Sequence, residues 1–117
     1  MKWVIRILQG LLVLGFIAFG LMKLTGDAMQ VQTFTSFGYS LELMYFVGLC
    51  EVIGAIGLVV GFWKSRIGLL ASGGLALLMA GAVFSHLNAG QGIGAALPAF
   101  ILLILSVVVF IGKRAAK

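Results

Sequence analysis

LMYFVGLCEVIGAIGLVVGFW, residues 43 to 63, contains one charged side chain, Glu51, in an otherwise apolar and weakly polar run. As a helix rising 1.5 Å per residue it is long enough to cross a hydrocarbon core about 30 Å thick. Three other stretches share its character: Ile7 to Met22, Ile67 to Ser85 and Ile93 to Gly112. The first extends to about Trp3 and Leu24 once Arg6 and Lys23 lay their aliphatic stems along lipid and lift their charged heads toward water. Composition agrees, with 62% of the 117 residues hydrophobic and 9% charged, against about a quarter charged in soluble domains. The mean hydropathy is +1.23. A segment surrounded by lipid must satisfy its own backbone, and the alternation of a membrane β-barrel is absent. The expected fold is therefore all-α: a polytopic membrane protein forming one four-transmembrane-helix bundle over residues 1–117. Its spans are expected at about 3–24, 43–63, 67–87 and 93–112. Lys2 and Arg6 before an apolar run also suggest a secretory leader, but Lys23 stands where small residues should mark a cleavage site. A retained first helix is expected.

The basic residues set the orientation. Lys2 and Arg6 precede the first span, Lys64 and Arg66 join the second to the third, and Lys113, Arg114 and Lys117 follow the fourth. Seven of the eight basic residues thus share one side, which the positive-inside rule makes cytoplasmic. The expectation is a multi-pass protein of the cell's inner (plasma) membrane with both termini in the cytoplasm. Dispersed over three short segments, these charges do not make a nucleic-acid surface. The bilayer is the partner they address.

Small residues sketch the helix contacts, because close backbone approach is what drives association in lipid. Gly57 and Gly61 form a GxxxG pair in the second span, and Gly68, Ser72, Ala76 and Ala80 recur every four residues in the third. These two spans, joined by a short KSR turn, are expected to pack closely. Pro98 either starts the fourth helix at its first turn or kinks it.

The connection GDAMQVQTFTSFGYSLELMYF, residues 26 to 46, is too polar to span and too aromatic for a free linker. Asp27 is placed to cap a short helix, and Phe34, Phe37 and Leu41 recur at helical spacing. One reading is a short interfacial or re-entrant segment with its aromatics at headgroup level. The other is a lid over an opening between helices, with Phe34 or Phe37 touching a ligand.

Glu51 lies about 20 Å above Lys64 at 1.5 Å per residue, and Lys23 about 25 Å above Arg6. Their depths therefore match within side-chain reach. GLMKLTG at 20–26 and GLCEVIG at 48–54 also share the frame G-L-x-charge-x-x-G with opposite charges. An ion pair between neighbouring antiparallel helices is expected, since a membrane-buried charge usually faces the bundle interior with a partner. Such a pair is either a latch that fixes register, or part of a polar pocket completed by His86 and Gln91 from the outer end of the third span. The candidate binding residues are Lys23, Glu51, His86, Gln91, Phe34 and Phe37.

Several chemistries find no support. A thiol relay needs a cysteine pair, and Cys50 is alone. A bis-histidine haem needs a second histidine beside His86. No metal-ligand spacing, phosphate-binding glycine loop or nucleophile elbow occurs. No catalytic residue or metal site is assigned.

Taken together, GLMKLTG closing the first span, Gly48, Glu51, Gly54 and Ala55 in the second, AVFSHL at 82–87 and ALPA at 96–99 resemble the DoxX and DoxX-like membrane family. The resemblance runs from about Leu8 to Phe110. It implies a four-helix membrane protein, with Lys23, Glu51 and His86 at the family's recurrent polar positions. Relatives so implied include a small subunit of an archaeal thiosulfate:quinone oxidoreductase, membrane partners in bacterial oxidative-stress complexes, and an animal chaperone for receptor assembly. Two functions follow as expectations. The first is a non-catalytic accessory or binding subunit, alone or as a homo-oligomer, that holds a quinone or lipid-like ligand for a redox partner or steadies another membrane protein in assembly. The second is a small proton-coupled transporter using Glu51. The small multidrug resistance proteins match the second in length and helix number, but carry their glutamate in the first helix and lack so strong a basic bias.

Overall fold

The computed structural model describes residues 2–90 and 92–116. It contains α1 (Lys2–Leu24), α2 (Ala28–Ser36), α3 (Leu41–Val60), α4 (Ser65–Asn88) and α5 (Gly92–Ala116), with no strand among the described residues. The four long helices are each apolar and long enough to cross a bilayer. They close into a ring in which α1 packs on α3, α3 on α4, α4 on α5 and α5 back on α1, while α2 leans on α3 and α1. The four-helix membrane bundle is thus present, with α2 as the short segment between its first two spans.

Local chemistry sets the helix ends. Gly26, with φ of 72°, ends α1 in a left-handed turn that costs a glycine little. Asp27 then caps α2 by accepting from the backbone N–H of Met29 at 3.1 Å. Gly38, at φ 80°, turns the chain again, and Ser40 caps α3 by accepting from Leu43 N–H at 3.2 Å. Leu41 consequently belongs to α3. Its spacing from Phe34 and Phe37 is helical in the sequence, but the glycine turn separates it from α2.

The helix α3 stops at Val60, short of Trp63. Gly61 lies so close to α4 that a Cβ there would sit 2.5 Å from Gly68 Cα. The backbone tightens here, Phe62 N–H bonding Val59 O rather than Leu58 O. A carbonyl left open within lipid is costly. Gln9 Nε2 of α1 donates to Leu58 O at 2.6 Å, and Lys113 Nζ of α5 donates to Gly61 O at 3.1 Å. Two other helices thereby complete the end of α3.

The core is drawn from all four spans: Leu12 and Phe16, Ala55 and Leu58, Leu75 and Met79, and Val109. The expected close approach of α3 and α4 is present, since a Cβ at Gly57 would lie 2.9 Å from Ala71 Cβ. The most extensive interfaces, however, are α4 with α5 and α1 with α3. The small-residue stripe of α4 does not follow one contact, because each four-residue step overshoots a turn by about 40°. Gly68 and Ser72 are buried, Ala76 half-buried and Ala80 exposed. Pro98 lies inside α5 rather than at its first turn.

Candidate functional site

The matched glycine frames meet where α1 crosses α3. A Cβ on Gly20 would stand 2.9 Å from Gly48 O, and one on Gly48 would stand 2.9 Å from Gly20 O. Three residues after each glycine, about one helical turn on, comes the charge. Lys23 Nζ is 2.8 Å from Glu51 Oε1, and the two side chains are 10% and 1% exposed. Lys23 Nζ also lies 5.8 Å from the centre of the Phe19 ring, within cation–π range. Pairing removes the net charge that would otherwise be stranded in a low-dielectric interior.

The pair forms part of the wall of a 630 Å³ cavity between the long helices at the α2 end of the bundle. α2 and the turn after it contribute Phe34 and Phe37, α4 contributes Ser85 and His86, and α5 contributes Pro98. Phe34 is buried. Phe37 meets the His86 ring edge-on with centroids 4.8 Å apart, and lies 5.5 Å from Tyr39 and 6.1 Å from Phe34. The Tyr39 hydroxyl and Ser85 Oγ share a hydrogen bond at 2.9 Å. The aromatic segment is therefore fastened to α4 by a ring contact and a hydrogen bond, and the cavity lies beside it.

Lys23, Glu51, His86, Phe34 and Phe37 all line this one cavity. Gln91 lies outside the described residues. Sequence reasoning overlooked Gln30, Thr33, Tyr39, Ser85 and Phe19, which line it too. A signal for two of them was present, because Gln30, Thr33, Phe34 and Phe37 fall at i, i+3, i+4 and i+7 and so share one face of a helix. Buried Gln9 was also overlooked; an amide in an apolar span needs a partner, which here is a helix end. Among the described residues no three side chains of metal-ligating type cluster.

Four apolar helices long enough to cross a bilayer, ringed around a core and an ion-paired cavity, define a small multi-pass membrane protein. Its family follows from comparison with known sequences. The chain belongs to the DoxX-like family, whose model matches residues 7–109. It is also similar to the uncharacterized protein YdgD of Bacillus subtilis (strain 168), with 30% identity over 98 residues, covering 83% of this chain and 86% of that one. No solved structure gives a significant match.

Proposed function

We propose that this protein is a non-catalytic binding subunit that holds a quinone-like ligand in the cavity beside the aromatic segment for a membrane or redox protein partner. The observation that carries the reading is the cavity itself. At 630 Å³ it falls within the range of small-molecule sites, and it joins apolar and aromatic walls to a few polar groups. Phe34 and Phe37 give the wall aromatic surface, which suits a flat ring, and the Lys23 ammonium is a donor for a ring carbonyl. An isoprenoid tail is compatible with the apolar side chains of α4 and α5, Leu78, Ala82 and Leu102. The basic residues at one end of the bundle support an inner-membrane location with both termini cytoplasmic.

Extraction in mild detergent followed by mass spectrometry of the organic extract tests the proposal. The expected result is a co-purifying quinone. After its removal, a short-chain quinone should raise the unfolding temperature of the native protein and not that of Phe37→Ala. An empty protein that no added quinone stabilises overturns the proposal. Proton-driven substrate uptake in liposomes, abolished by Glu51→Gln, would replace it with the transporter reading; the engagement of Glu51 by Lys23 favours the binding one.

A further inference from the structure

A second depression lies on a different part of the bundle, along the outer surface of α4 and α5. It measures 430 Å³, and its walls are Gly73, Ala76 and Ala80 of α4 with Leu103, Val107 and Phe110 of α5. The shape follows from side-chain size. Small residues on α4 hollow the surface, and the absence of a side chain at Gly73 admits the Phe110 ring, which a Cβ there would meet at 3.0 Å. Leu77, 77% exposed, forms a rim.

One end of this groove is cationic. Arg114 follows Phe110 by four residues and Leu103 by eleven, which keeps it on the groove face of α5. Arg66 precedes Gly73 by seven, two turns back on the groove face of α4. The two sit at similar depth, because Gly68 meets the Lys113 side chain across the helix pair. Both arginines are exposed. The only ion pair among the described residues is that of Lys23 with Glu51, so neither guanidinium is neutralised by a carboxylate. Two nearby cations are otherwise engaged: Lys113 donates to Gly61 O, and Arg6 lies over the Phe62 ring at 5.4 Å.

We infer that this groove is a binding site for an anionic phospholipid, with one acyl chain in the apolar trough and the phosphate between Arg66 and Arg114. Length agrees with the assignment. From Leu103 to Arg114 the helix rises about 16 Å, close to the roughly 15 Å hydrocarbon depth of one leaflet. Charge agrees as well, since guanidinium is the side chain best matched to a phosphate oxygen pair. A zwitterionic lipid fills the same trough with its phosphate offset by its own cation. Selectivity therefore resides in the two arginines and general retention in the trough.

The full-length protein in nanodiscs of equal phosphatidylglycerol and phosphatidylcholine, released for native mass spectrometry, tests this. Retained phosphatidylglycerol should exceed phosphatidylcholine by about thirtyfold, the scale expected for two basic residues at a membrane surface. Arg66→Gln with Arg114→Gln should bring the ratio near one, whereas Arg66→Lys with Arg114→Lys should keep most of it. Ala76→Phe, which fills the trough and leaves both arginines, should lower retention of both lipids. Equal retention by the native protein, an unchanged ratio in the double glutamine variant, or full retention in Ala76→Phe overturns the inference. So does a lipid-free species with the mass of two chains, which would make the trough a contact between copies.

Discussion

Replacing Lys23 by Met, or Glu51 by Gln, breaks an ion pair whose members the bundle has taken out of water. At 2.8 Å, unit charges attract by about 6 kcal/mol if the effective dielectric constant is about 20. Desolvation of both groups offsets much of that, so the pair adds little compared with two neutral side chains that pack equally well. Removing a single partner is different, because the remaining charge keeps its desolvation cost without its counter-ion. Each single variant should therefore lose about 3–5 kcal/mol. The double variant Lys23→Met with Glu51→Gln should lie within about 1 kcal/mol of the native protein, or several kcal/mol better than the sum of the singles. Reversible unfolding in mixed micelles of mild and denaturing detergent, followed by circular dichroism, measures all four corners of the cycle. Additive losses, with a coupling below about 0.5 kcal/mol, would refute the reasoning, because residues that do not interact add within that margin.

The glycines make opposite predictions according to their surroundings. Gly48→Ala places a methyl 2.9 Å from Gly20 O and 2.7 Å from Lys23 Cβ, so α1 and α3 must separate, at a cost of about 1–3 kcal/mol in the same assay. Gly74→Ala meets nothing within 4 Å and should stabilise by roughly 0.5–1 kcal/mol. Tyr39→Phe removes the hydrogen bond to Ser85 at 2.9 Å. Net values near 1 kcal/mol for such bonds predict about fivefold faster amide hydrogen exchange over α2, with α4 unchanged. Lys113→Met takes the donor from Gly61 O and should cost about 1–3 kcal/mol, whereas Lys113→Arg should recover part of it.

The spans and their number were legible because lipid admits few backbone solutions, and an apolar run of this length in this composition reads as a helix. The ion pair was legible for a subtler reason. A glycine one turn before each charge lets two backbones touch, and two such frames with opposite charges meet naturally on antiparallel neighbours. The turn glycines were not legible as breaks in the aromatic periodicity, since a left-handed φ at Gly38 cannot be read from spacing alone. Ser85 and Tyr39 each look ordinary in sequence, and only the fold brings them to 2.9 Å. The stripe from Gly68 to Ala80 marked the α3 contact at its start only, because a four-residue repeat winds around a helix of 3.6 residues per turn. Its later members left the α3 contact and helped form the outer trough.

The end of α3 bears on how the chain is assembled. Its loose carbonyls are claimed by Gln9, 49 residues away in sequence, and by Lys113, 52 residues away. A ribosome feeding this chain into the membrane delivers Gln9 before α3 exists and Lys113 only after α4 and most of α5 have been made. The Gly61 carbonyl therefore spends the interval without the donor it has in the finished protein, and a nascent chain halted before α5 should engage insertion factors or a local water defect at that point. Arrival of the fourth span is then the event that seals the second.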